Sequence, residues 1–269
     1  MDQATRKPFA VVTGASSGIG YELARQFAEN GFDLLITAED AGIETTAQAC
    51  EALGAHVVHT RADLATYDGV EQLFAAIQQT GRPLDAIALN AGVGVGGSFV
   101  HETDLHEEIS MINVNITSTV HLAKRVLPAM VARGSGRVLF TSSIAALMPG
   151  PYYAIYAASK SFVQSFAQAI RNELKDTGVS VTALQPAATD TNFFERADME
   201  DTRAGTGPKA DPADVAKEGF AAMMAGKDHV ITGGLPNKIQ GAVSGIIPET
   251  VRAEIHSKLT EPGSGDKTK

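Results

Sequence analysis

Tryptophan is absent from this 269-residue chain, and cysteine occurs once, at Cys50. A lone thiol closes no internal disulfide, so packing and hydrogen bonds must hold the fold, as expected of a protein in a reducing cytoplasm. No run of about 18 apolar residues is present, and Met1–Pro8 lacks a signal-type apolar segment, which argues against membrane spanning and against export. Positive charge is scarce as well: 22 Lys and Arg stand against 31 Asp and Glu, a formal net charge of −9. Nucleic acid demands a basic surface, so that class of partner is not expected. Cysteine and histidine clusters at metal-ligand spacing are missing, and no metal is expected. No Pro/Ser/Gly-rich linker divides the chain, which is read as one domain over residues 1–260 followed by a disordered Gly/Ser/Lys-rich tail, 261–269.

What is present is an alternation. Short β-type runs near 9–13, 33–37, 56–60, 85–90, 137–142, 179–184 and 229–232 are separated by helical patterns near 18–30, 42–53, 67–80, 103–133, 153–176, 211–225 and 237–258. Such alternation predicts an α/β fold, a Rossmann-type doubly wound parallel sheet of about seven strands with helices on both faces. Ligands in these sheets bind beyond the carboxyl ends of the strands, and Gly14, Asp63, Asn90, Ser143 and Pro186 all fall just past a strand end.

Two motifs carry chemistry. Gly14, Gly18 and Gly20 follow the apolar run Phe9–Val12 and open a helix, which places unpaired backbone N–H groups and the positive helix end where a pyrophosphate can sit. The spacing is G-x-x-x-G-x-G and departs from the commoner dinucleotide fingerprint; standing alone, such a run could equally be a flexible turn. The second motif is Tyr156-Ala157-Ala158-Ser159-Lys160. A phenol titrates near ~10, a poor match to neutral pH, and an ammonium one helical turn away can lower that value. Ser143 lies thirteen residues upstream. A tyrosine and lysine at this spacing are more often ordinary solvated residues, so the motif gains weight only from its company.

With these residues in view, the chain resembles the short-chain dehydrogenase/reductase family from about Phe9 to Val230. The resemblance implies a catalytic set of Asn115, Ser143, Tyr156 and Lys160, in which Ser143 anchors the substrate oxygen, Tyr156 exchanges its proton, Lys160 tunes Tyr156 and holds the nicotinamide ribose, and Asn115 supports a water leading to bulk solvent. Asn113 competes with Asn115, and Ser142 with Ser143; spacing alone favours the second of each pair. It further implies cofactor contacts from Gly14, Ser16, Ser17, Gly18, Ile19, Gly20, Glu39, Asp63, Leu64, Asn90, Ala91, Gly92, Tyr156, Lys160, Pro186, Thr189 and Thr191. Substrate would meet Ser143, Val93, Val95, Tyr153, Phe193 and Phe194, under a lid near 187–210.

Leu89 and Ala187 depart from the family pattern, which usually has asparagine and glycine there. A positive φ at Ala187 would cost on the order of 1 kcal/mol. The remaining histidines show no ligand spacing and are read as surface or helix-end residues. The expected activity is NAD(P)-dependent interconversion of a secondary alcohol and a ketone on a mostly apolar small molecule; a 3-oxoacyl thioester reductase and a non-catalytic dinucleotide-sensing regulator are the alternatives. Glu39, where NADP-binding relatives carry arginine, predicts preference for NAD(H) over NADP(H). The family also implies a homodimer or homotetramer built on the helices near 103–133 and 153–176.

Overall fold

The computed structural model describes residues 6–234 and 248–267. Seven strands, β1 (Phe9–Thr13), β2 (Asp33–Ala38), β3 (Val57–Arg61), β4 (Ala86–Leu89), β5 (Gly136–Thr141), β6 (Val179–Gln185) and β7 (His229–Ile231), form one sheet. All pair in parallel, in the order β3-β2-β1-β4-β5-β6-β7. The edge strands β3 and β7 are partly exposed, whereas the residues of the central strands β1 and β4 are all buried, so β1 reads as a continuous apolar run. Its alternate side chains divide between two cores: Ala10 and Val12 face one, Phe9 and Val11 the other.

The first core is covered by α1 (Gly18–Glu29), α2 (Gly42–Ala52) and α9 (Pro212–Met224). Phe27, Phe32 and Phe220 meet edge-to-face there, with centroids 5.1 to 6.3 Å apart. Cys50 is buried in the same core, and its burial pushes the thiol up to about 11. The second core lies under α3 (Tyr67–Gln79), α5 (Ser118–Arg133) and α6 (Ala154–Glu173). Local signals start these elements. Thr66 Oγ1 accepts the Gly69 N–H at the head of α3, and Asp211 caps α9 ahead of Pro212 at its first turn.

Three expectations need correction. The single helix expected over 103–133 is α4 (Leu105–Ile112), a π-helical turn (Asn113–Thr117) and then α5. The extra residue of the π turn lets the Asn115 side chain leave the helix and bond the Val93 backbone. The helix expected over 237–258 lies partly outside the described residues; its described part is α10 (Glu249–Thr260), following the short helices α7 (Phe193–Arg196) and α8 (Arg203–Thr206). The tail is packed as far as it is described: Ser264 is buried, its Oγ accepts the Arg203 N–H, and Gly263 N donates to Asp201. The Gly/Ser/Lys-rich composition points to disorder, and it misleads because the contact that orders Ser264 is made with Arg203, remote in sequence.

The strand order reverses at β1 and β4, and the chain there leaves no room for side chains. A Cβ on Gly20 would lie 1.9 Å from Gly14 O, and one on Gly14, whose φ is +65°, would lie 2.8 Å from Ala91 Cα. Gly20→Ala is expected to lose about 1–3 kcal/mol of unfolding free energy, since the overlap is with backbone and cannot relax through a rotamer. Urea unfolding with an unchanged midpoint and slope would contradict this.

Candidate functional site

A cavity of ≈ 1010 Å³ runs along the carboxyl ends of the strands, from the β2 end at Glu39 to the head of α6 at Tyr156. Of the residues proposed from sequence, all line it except Asn115, which sits behind the wall, and Val95, which lines a second cavity of ≈ 490 Å³ under α7. Residues up to some two hundred positions apart thus converge on one cleft.

At one end the wall is backbone. Ser17 precedes α1 without a side-chain cap, so the first N–H groups of that helix face the cavity unpaired by a side chain. Gly14, Gly18 and Gly20 keep the approach open, and Thr191 Cγ2 would lie 2.8 Å from a Cβ on Gly18, so the segment after β6 packs closely on this loop. Ser16 Oγ donates to Asp40 Oδ2, and Asp40 Oδ1 accepts the Gly42 N–H. Asp40 is therefore committed to local structure, while the Glu39 side chain is exposed at the rim. An uncapped helix end beyond a cradle that admits no Cβ fits the pyrophosphate of a dinucleotide.

The floor is a hydrogen-bonded seam. Thr13 Oγ1 accepts from both Asn90 N and Ala91 N, each at 2.9 Å. Asn90 Nδ2 donates to Thr13 O at 3.1 Å, and Asn90 Oδ1 accepts from Thr141 Oγ1 at 3.0 Å. Leu89, the departure beside it, points into the second core, so one asparagine suffices for the seam. Ala187 does not have positive φ; among the described residues only Tyr152 and Asp198 do so without being glycine. The strain anticipated there is absent.

At the other end Tyr156 is buried, with its hydroxyl beside Ser143. Ser143 Oγ accepts the Ala145 N–H at 3.1 Å, whereas Ser142 Oγ is turned away and donates to Lys160 O. Of the two asparagines, Asn113 has only a long contact with Thr117, and Asn115 is buried. Asn115 Oδ1 accepts from Val93 N, and its Nδ2 donates to Val93 O and to Ser159 Oγ. Lys160 Nζ donates to Thr141 O at 3.0 Å and lies 5.7 Å from the Tyr156 ring centroid.

The electrostatics differ from the sequence expectation. Burial pushes Tyr156 up to about 12, only partly opposed by the neighbouring Ser143 hydroxyl, and burial lowers Lys160 to about 8. Desolvation disfavours both charged forms and outweighs the mutual stabilisation anticipated for the pair. Tyr156 is thus a protonated donor at neutral pH.

The segment over 187–210 packs against this end. Phe193 lies 4.9 Å from Tyr156, centroid to centroid, and packs with Phe194, Met199 and Tyr153 in a third apolar cluster. Arg196, Arg203 and Lys209 also line the cavity, although Arg203 and Lys209 are bonded to backbone carbonyls.

Sequence reasoning missed His256. It is buried, lines the cavity, and its Nε2 is 2.5 Å from Tyr153 Oη. The periodicity of α10 misleads, because Val251, Ile255 and Leu259 are exposed while Arg252, His256 and Thr260 dock.

The family model for short chain dehydrogenase matches residues 8–201. The chain belongs to that family. An uncharacterized oxidoreductase of Bacillus subtilis is 30% identical over 232 residues, covering 83% of this chain and 94% of that protein. A short-chain dehydrogenase from Sphingobium yanoikuyae, solved with NADPH, superposes with a TM-score of 0.78 at 28% identity over 89% of this chain and 94% of its own. The bulky-bulky ketone specific alcohol dehydrogenase from Comamonas testosteroni gives a TM-score of 0.74 at 25% identity, covering 90% and 94%. No helix among the described residues of this short-chain dehydrogenase is long and apolar enough to cross a membrane.

The buried ammonium has a cost that can be measured. A lysine whose folded pKa lies near 8, below its ordinary 10.5, destabilises the fold below about pH 8, and that penalty fades as pH rises to 10.5. Lys160→Met is expected to be more stable than the parent at pH 7 by about 2 kcal/mol, after allowing about 1 kcal/mol for the lost bond to Thr141. The gain should vanish by about pH 10.5. Denaturant unfolding across this range checks it; a variant less stable at pH 7 would show that the amine is not desolvated.

Proposed function

We propose that this chain is an NAD(P)-dependent oxidoreductase that interconverts a secondary alcohol and a ketone on a mostly apolar small molecule. The observation that carries the reading is the placement of a buried, protonated Tyr156 beside Ser143 and Lys160, at the far end of a cavity that begins at the uncapped head of α1.

The roles follow from hydrogen-bond capacity. Ser143 Oγ accepts from Ala145 N, which leaves its own proton for a substrate carbonyl oxygen. Tyr156 delivers the proton that turns this oxygen into a hydroxyl, and the Lys160 ammonium stabilises the phenolate left behind. Asn115 pins the Val93 backbone and stands behind Lys160, where it would support a water relay to solvent. A nicotinamide dinucleotide would supply the hydride chemistry; Gly14–Gly20 would hold its phosphates, and Glu39, Asp63 and Leu64 would meet its adenosine end. Val93, Tyr153, Phe193 and Phe194 surround the reacting end with apolar surface.

Tyr156→Phe is expected to lower kcat by about 10²–10⁴-fold while cofactor binding survives, because only the proton transfer is lost. Retention of more than about a tenth of kcat in a ketone reduction followed by nicotinamide absorbance would remove Tyr156 from this role. A parent protein that binds cofactor but turns over no ketone or alcohol would favour the sensing alternative.

Cofactor choice is part of the same proposal. The Sphingobium neighbour carries NADPH, so the family does not fix the preference. In this chain Glu39 stands at the ribose end of the cavity, and the adjacent Arg61 guanidinium is held on the Glu39 carbonyl oxygen at 3.2 Å, outside the cavity lining. A carboxylate there accepts bonds from ribose hydroxyls and repels a 2′-phosphate. Preference for NADH over NADPH of about tenfold or more in kcat/KM is expected, and Glu39→Arg should shift the ratio toward NADPH. A parent that prefers NADPH would overturn the assignment. We also propose a two-fold assembly through α4, α5 and α6, where Leu105, Ile109 and Phe162 are exposed.

A further inference from the structure

Helix α10 docks by its polar face. Arg252, His256 and Thr260 stand four residues apart, and each meets one carbonyl of the 147–151 segment. Arg252 Nη1 donates to Leu147 O (2.5 Å), His256 Nδ1 to Pro149 O (2.9 Å) and Thr260 Oγ1 to Pro151 O (2.8 Å). Four helical residues rise ~6 Å and two extended residues span ~6.6 Å, so the ladder stays in register. Next in the chain, Tyr152 adopts a φ of 62° and its carbonyl accepts the Gly97 N–H at 2.7 Å. This left-handed turn, held from outside, aims Tyr153 inward. The Tyr153 ring stacks on Tyr156, with centroids 5.7 Å apart and an interplanar angle of 22°, and its Oη meets His256 Nε2.

The protons on this pair can be counted. A carbonyl oxygen only accepts, so His256 Nδ1 carries the hydrogen that bonds Pro149. Burial lowers the His256 pKa, which keeps the ring neutral at physiological pH and leaves Nε2 a lone pair. Tyr153, whose own pKa burial raises, must then donate its O–H to Nε2. Its one proton is committed, and the oxygen retains only lone pairs. Ser143 and Tyr156 present donors to the same cavity, where Tyr153 and His256 add an oxygen restricted to accepting.

We infer that Tyr153 is a specificity residue that accepts a hydrogen bond from a substrate hydroxyl next to the reacting carbonyl, with His256 as the positioning residue that holds its proton. The substrate class is accordingly hydroxyketones and the corresponding diols. The inference rests on the reading of Tyr156 and Ser143 as the groups that meet the reacting oxygen. A plain ketone gives the Tyr153 oxygen no partner, and an ether or second carbonyl sets two acceptors against each other.

The test is a ratio, because hydroxyketones differ from ketones in intrinsic reactivity. kcat/KM is measured for 3-hydroxybutan-2-one, butan-2-one and 3-methoxybutan-2-one with NADH and with NADPH. Tyr153→Phe is expected to lower the hydroxyketone-to-ketone ratio by about fivefold to tenfold, the worth of one hydrogen bond. His256→Leu releases the Tyr153 proton, so the methoxyketone should gain on the hydroxyketone. A ratio unchanged in Tyr153→Phe, including equal losses on both substrates, overturns the inference. Thermal unfolding checks that each variant is folded, and Tyr153→Phe alone decides if His256→Leu is not. If the parent turns over no ketone, the reading of Tyr156 fails instead. Dissociation constants of the NADH-loaded protein for butane-2,3-diol and butan-2-ol then decide: a diol preference abolished by Tyr153→Phe supports the subsite, and equal binding overturns it.

Discussion

The seam between the ends of β1 and β4 governs the rest of the molecule. Strand order reverses there, and a crevice opens only if the two chain ends stay close without filling it. Thr13 and Asn90 tie them through side-chain-to-backbone bonds, and glycine at positions 14 and 20 removes the Cβ atoms that would collide with Ala91 and with Gly14 itself. The same asparagine reaches Thr141 at the end of β5, whose carbonyl holds Lys160. A displacement at the seam would therefore reach the dinucleotide end and the acid end together, since one short network carries both.

Burial sets the chemistry at that acid end. Both Tyr156 and Lys160 are enclosed, and enclosure favours the neutral phenol and weakens the ammonium. The stability cost falls on the buried ammonium, since a phenol is protonated at neutral pH in either state, and shifted groups of this kind cluster where chemistry is done. Lys160 retains its partner at Thr141, so the amine is costly without being orphaned.

The π turn at Asn113–Thr117 and helix α10 show two ways in which distant segments finish one site. In the first, an irregular helix frees a single side chain to fix the Val93 backbone. In the second, a helix is held by three side chains that each satisfy a loop carbonyl, while Val251, Ile255 and Leu259 stay partly in solvent. The loop needs those donors because its proline-rich carbonyls have no strand to pair with. This inversion of the usual apolar contact places a neutral imidazole against Tyr153.

The parallel sheet, its seven strands and their helices are legible in the sequence because each depends on local period: doubly buried strands give apolar runs, and amphipathic helices give 3.6-residue spacing. The glycine loop and the Tyr156–Lys160 pair are legible for a similar reason, since their chemistry lies in residues close together along the chain. Spacing favours Ser143 over Ser142 and Asn115 over Asn113, and only the tertiary structure shows that the members of each pair, alike in type, point in different directions. Only it showed burial overriding the ammonium at Tyr156, as desolvation depends on what distant segments cover the phenol. The role of His256 was hidden for the same reason: its partners Pro149 and Tyr153 lie more than a hundred residues away, and no periodicity within α10 records a contact made across that span.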